Sequence, residues 1–319
     1  MRSPTTSAST IPGCMNSATD PRPRGAAIGR TIAISLFGAL LLAPSSVLTA
    51  AGPTPAALRS TLERADKTLA QAERAVEGKD PGKVSLYLAR VDELLVSFQE
   101  EGALLELAKS FEEARTAARN PDWAAAAWAV RRASVLMNPL SDYVVLRQSA
   151  ETSRAAVREA ETHDLAAFQQ SLDRFDESIL VQVLLARVRE ARDAVARARQ
   201  AMVRNNMQDG RIRLAEARRG LNGLLYAGAL SRIVFALSIG AEFLEGGSVI
   251  SAKDQLQRAL RDLKLAAEVG PPEARPSMEE IRATTFDIWK RPARATAEDA
   301  RRLAELARTV DAIRLKQPR

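Results

Sequence analysis

One cysteine, one histidine and an aromatic content of 4% are what this 319-residue chain has least of. A single cysteine excludes an intrachain disulfide and any cysteine-based zinc site. A single histidine excludes a metal centre built from several histidines, and it leaves a serine nucleophile only one imidazole to work with. No stretch alternates apolar and polar residues as a half-buried strand does. Gly240 and Gly246-Gly247 lack both the preceding strand and the lysine of a phosphate-cradling loop. The adjacent carboxylates Glu100-Glu101, Glu112-Glu113 and Glu279-Glu280 would point about 100° apart on a helix. They read as solvated surface, not as a facing acid–base pair. No enzyme signature, metal site or cofactor site is left, and the chain is expected to be non-catalytic.

What the chain has is apolar residues, 46% of the total, too many for a disordered polypeptide. Its length suits about two ordinary domains. Residues 1–30 carry Arg2, Arg22, Arg24 and Arg30 against Asp20. An uncharged, mainly apolar run from Thr31 to Ala43 follows, then Pro44-Ser-Ser and the small residues Thr49, Ala50 and Ala51. This is the layout of a secretory signal peptide over residues 1–51, with cleavage expected after Ala50 or Ala51. Translation from Met15 would give a leader of more usual length. The competing reading is an uncleaved anchor, since 31–51 is free of charge and just long enough to span a bilayer. Cys14 precedes the apolar run and would leave with the leader. Removal of residues 1–51 leaves 42 bases against 38 acids, a net charge of +4.

From Leu58 onward Ala, Leu, Arg and Glu dominate, all good helix formers. The informative feature is a repeat. Asp80, Asp122, Asp164, Asn206 and Ser248 stand 42 residues apart, and each is an N-cap type. Eight residues after each come Leu88, Val130, Leu172, Leu214 and Leu256. Eleven after come Val91, Ala133, Phe175, Ala217 and Ala259, and fifteen after come Leu95, Met137, Ile179, Leu221 and Leu263. Steps of 4, 3 and 4 place these on one helical face. Upstream, Val76, Ala118, Ala160, Met202 and Leu244 precede the caps by four, and Ala72, Ala114, Ala156, Ala198 and Gly240 by eight.

Because 42 is six heptads, a long coiled coil would align with itself in the same way. Turn chemistry argues against it. Gly78 to Gly82, Asn120-Pro121, Asn205-Asn206 and Gly246-Gly247 share one phase. Gly102, Asn138-Pro139, Asn222-Gly223 and Gly270-Pro-Pro272 share the opposite one. Mid-helix, Gly and Pro would cost about 1 and 3 kcal/mol each. Each unit is therefore expected to be an αα-hairpin of two helices of roughly 15–20 residues. The expected fold is all-α: five tandem hairpins over 58–270, forming an α-solenoid or stacked helical array. Degenerate capping helices over 271–319 would close it, the last opened by a capping box at Thr296 and Asp299.

Tandem hairpins of this kind resemble tetratricopeptide-like α-solenoids, though the Trp, Gly, Tyr and Pro landmarks of that 34-residue unit are absent. The Ala–Ala–turn–Ala–Leu texture of residues 233–263 is similar to exported, all-helical YfdX-type bacterial proteins over one or two hairpins. Neither resemblance transfers a functional residue.

Charge is distributed unevenly. Residues 90–113 hold seven acids and two bases. Residues 187–219 hold ten arginines and four acids. Arg192, Arg197, Arg199, Arg204, Arg211 and Arg213 are candidates for docking an anionic protein partner, or for head-to-tail contact between copies. Arginine suits bidentate binding of carboxylate or phosphate. Nucleic acid is not expected as a partner, because the segment lacks interleaved aromatics. Trp123, directly after the second cap, is a candidate binding anchor. His163, beside Asp164, reads as a turn residue. Residues 231–244 read as a buried helix too short for a membrane span, so membrane contact is expected only through an uncleaved amino-terminal segment. The expected function is an exported helical-repeat protein of the bacterial cell envelope, periplasmic or secreted, that mediates protein–protein interaction or scaffolding. The alternative is a periplasmic lipid or small-molecule carrier with an apolar groove near residues 226–244.

Overall fold

Helix-forming sequence between well-capped ends yields helices throughout. A computed structural model describes residues 54–317, so the expected leader or anchor lies outside the described residues. Eleven α-helices are present among those residues: α1 (Pro55–Glu77), α2 (Pro81–Glu101), α3 (Leu104–Arg119), α4 (Trp123–Leu136), α5 (Leu146–Thr162), α6 (Leu165–Ile179), α7 (Val181–Val203), α8 (Met207–Glu245), α9 (Val249–Val269), α10 (Arg275–Lys290) and α11 (Ala297–Leu315). Single 3-10 turns occur at Asn138–Leu140, Pro272–Ala274 and Pro292–Arg294. The described chain is all-α, with no strand.

The five aligned polar residues are the N-caps of α2, α4, α6, α8 and α9. The side chains of Asp80, Asp122, Asp164 and Asn206 each accept the backbone N–H three residues on, at 3.0–3.1 Å. Ser248 instead pairs its hydroxyl with that of Ser251. The residue before each cap has positive φ: Lys79 53°, Pro121 25°, His163 62°, Asn205 53° and Gly247 73°. The cap N–H reaches back five residues, from Asp80 to Ala75, Asp122 to Ala117, Asn206 to Ala201 and Ser248 to Phe243. That bond is the Schellman closure of the preceding helix. Two residues thus end one helix and begin the next. Every residue of the five apolar columns is buried except Leu244, which is half-buried. The capping box at Thr296 and Asp299 opens α11.

The connections at the other phase are all different. Ala103, at φ 51°, joins α2 to α3. Residues 137–145 form a 3-10 turn and loop between α4 and α5. Leu180, at φ 57°, separates α6 from α7 without Gly or Pro. At Asn222-Gly223 the expected break is absent: α8 runs on for 39 residues, about 58 Å. The glycines of α8 serve close packing instead. A Cβ on Gly220 would sit 2.8 Å from Ala191 Cα, so α7 and α8 cross backbone to backbone. A Cβ on Gly228 would meet the Tyr143 ring at 2.6 Å.

The described residues form one compact unit containing two apolar cores. The first runs from Leu58 to Ala227, the second from Tyr226 to Val310, and they adjoin at Tyr226 and Ala227 in α8. The apolar window of α8 is long enough to cross a membrane, but 72% of it is buried inside the fold.

A single file of hairpins is not what the long-range bonds describe. Arg218 on α8 bonds Asp66 and Glu73 on α1, and Arg192 on α7 bonds Asp92 on α2. The hairpin α7/α8 therefore lies against the hairpin α1/α2, more than 90 residues away in the chain. α11 returns to pack on α8. Its buried Arg314 donates to the carbonyl of Ser178, near the end of α6, at 3.0 Å.

Candidate interaction surface

Arginine is the commonest polar bridge between helices here, and that decides how much of the basic segment is free. Arg187 pairs with Glu190, Arg197 with Glu216 at 3.3 Å, and Arg192 with Asp92 at 2.8 Å. Arg213 pairs with Asp209 and Glu216 at 3.3 and 2.9 Å. The Arg213 guanidinium, followed by that of Arg197, holds the Glu216 carboxyl below its ordinary range. Arg218 is committed to α1. Among the described residues, Arg189, Arg199, Arg204, Arg211 and Arg219 have no acidic partner, and all are exposed. Of the six candidate arginines, then, Arg192, Arg197 and Arg213 knit the fold, while Arg199, Arg204 and Arg211 face solvent.

The acidic segment is spent in the same way. Glu93 pairs with Arg90, and Glu112 with Arg115, which also reaches Asp173 and Asp176 on α6. Glu106 and Glu113 both bind Arg132 on α4. Much of what reads in the sequence as complementary charge between copies is consumed within one copy.

Trp123 and Trp128 differ sharply. Trp123 is half-buried, stacked on His163 at 5.4 Å and 10°, with the Phe168 ring nearly perpendicular to it. His163 is the left-handed residue of its turn, so the stack joins the second and third turns. Trp128 is 59% exposed, with the Arg132 guanidinium 5.6 Å from its ring centre. Val135, two turns on, is also exposed, as is Leu105, next to the Glu106 that Arg132 binds. The distinction could not be read from α4 alone, because the group that covers Trp123 comes from the next hairpin.

The segment from Tyr226 to Ala241 packs into the second core with Leu256 and Leu263 of α9 and Leu303 and Val310 of α11. Most of its apolar surface is covered there by protein, Phe235 being exposed. Arg232, within this segment, donates to Asp262 Oδ1 from Nε and Nη2 at 3.0 and 2.8 Å, with both side chains mostly buried. Among the described residues, no group of three or more His, Cys, Asp or Glu side chains is placed to hold a metal ion. No family model matches the chain, and no curated protein or solved structure matches it.

Proposed function

We propose that this chain is a non-catalytic, exported helical protein that docks a protein partner on its outer helical faces, as a scaffold of the bacterial cell envelope. The five turns of common construction support a further reading: a 42-residue hairpin unit repeated along the chain, closed by the return of the fourth hairpin onto the first. The observation that carries the functional proposal is the exposed Trp128 on α4. Trp and Arg are the residue types that dominate binding energy at interfaces, and here Arg132 is already ordered over the ring by two carboxylates. Val135, two turns on along the same face of α4, extends the patch.

Affinity capture from envelope extract, with the tagged full-length chain and its Trp128→Ala variant, tests this. A partner retained by the wild type and reduced on the order of 30-fold by the variant is the expected result. Equal recovery by both overturns the assignment of the patch. Cell fractionation with amino-terminal sequencing of the product tests export.

A further inference from the structure

The tips of two hairpins combine exposed aliphatic side chains with cations that have no partner. Trp123 stacks on His163 and Phe111 meets Phe175, so α3 runs antiparallel to α6 and the start of α3 lies beside the end of α6. α2 leads into α3 and α7 leads out of α6 at that end, and the ion pair Arg192–Asp92 holds the two helices together farther along, so α7 runs antiparallel to α2. The turn 78–80 and the turn 204–206 therefore project from the same end of the molecule. Val203 is 76% exposed, Leu86 67% and Ile212 53%. Each lies within six residues of its turn, hence within about 9 Å of the tip. Side chains on a helix tilt toward its N-terminus, which for Leu86 on α2 and Ile212 on α8 is toward the tip.

Around these aliphatics stand Lys79, Arg199, Arg204 and Arg211, all exposed and, among the described residues, without an acidic partner. The acids close by are mostly taken: Asp80 by Lys83 and the α2 cap, and Asp209 by Arg213. Glu77 is the exception. This pairing of aliphatic side chains with a surround of cations is exposed at the tips. It fits a surface that accepts apolar groups to a depth of about 5–10 Å beneath a layer of phosphates.

We infer that the paired tips of α1/α2 and α7/α8 dock on an anionic phospholipid bilayer, with Val203, Ile212 and Leu86 entering the interface and the four cations meeting the headgroups. This rests on exposure and charge at the tips, independently of the Trp128 patch.

Co-sedimentation of the full-length chain with phosphatidylcholine vesicles, with and without phosphatidylglycerol, tests it. Binding is expected only with the anionic lipid, and weaker at high salt. The triple variant R199Q/R204Q/R211Q should lower the partition coefficient on the order of a hundredfold, and V203S/I212S about tenfold. R189Q/R219Q, whose positions lie farther from the tips, should bind as the wild type does. Equal binding by the triple variant would assign any lipid contact to the amino-terminal segment and overturn the inference. So would binding to neutral vesicles alone, no binding by the wild type, or an equal loss in R189Q/R219Q. Retained vesicle binding with loss of a captured envelope protein would make the tips a protein interface and overturn it equally.

Discussion

The two halves of α8 are one helix with two physical characters. From Met207 to about Leu225 it is an ordinary hairpin helix. One face crosses α7 at Gly220, while Arg211 on the opposite face and Ile212 and Arg219 on the flank stand in solvent. From Tyr226 to Ala241 most positions are buried, because α9, α11 and the loop holding Tyr143 enclose it. The same chemical device behaves differently in the two settings. Arg218 bridges to α1 through carboxylates that keep 38% and 40% of their side-chain exposure. Arg232 bridges to α9 through Asp262, and those side chains retain 14% and 12%. Water competes for the first pair and is nearly excluded from the second.

The largest expected difference follows from that contrast. Arg232→Met should destabilise the protein by about 3–5 kcal/mol, because Asp262 would be left buried and unpaired. Arg218→Met should cost under about 1 kcal/mol after solvent screening of its partners. Urea unfolding monitored by circular dichroism measures both. The double variant Arg232→Met with Asp262→Leu should recover most of the loss, since it removes the orphaned charge. Equal costs for the two single variants would show that the two halves of α8 are not dielectrically distinct.

The regular part of this molecule was legible because turn chemistry and helical periodicity agree at the same residues. Asp80, Asp122, Asp164, Asn206 and Ser248 cap helices, and the apolar columns they index are buried. What was not legible depends on groups far away in the chain. Asn222-Gly223 carries a turn signature, yet the helix continues, because packing of the following residues against α9 and α11 outweighs a propensity cost of about 1 kcal/mol for the glycine. Leu180 ends a helix with no breaker, while Arg314 from α11 satisfies a carbonyl of the last turn there. The cover on Trp123, which Trp128 lacks, comes from His163 and Phe168 of the third hairpin. The basic face shrank once Asp92, Asp66 and Glu73 arrived from the first.

The glycines extend the comparison at a middle scale. Gly220→Ala would place a methyl 2.8–2.9 Å from backbone and Cβ atoms of Ala191, where only movement of a whole helix makes room. A loss of about 3 kcal/mol is expected. Gly228→Ala meets a ring edge, at 2.6 and 3.0 Å, and a side chain gives more readily than a backbone. Its loss should be nearer 1–2 kcal/mol. Thermal unfolding of the two variants ranks them, and the reverse order would place the tighter contact at the Tyr143 ring.

The smallest expected effects lie at the two ends of α8, which are built alike but from different residues. The chain enters through Asn205 at φ 53° and leaves through Gly247 at φ 73°, each the left-handed residue of a Schellman closure. A Cβ on Gly247 would meet no atom within 4 Å, so Gly247→Ala isolates the backbone term from any clash. It should cost about 1 kcal/mol, the penalty of the left-handed conformation for an L side chain. Asparagine tolerates that conformation better than most residues, so Asn205→Gly should gain only a few tenths of a kcal/mol. The two changes test one quantity from opposite directions. If Gly247→Ala proved neutral while Asn205→Gly stabilised, the turn after α8 would be free to relax into another conformation, and of the two only the turn before α8 would enforce the left-handed step.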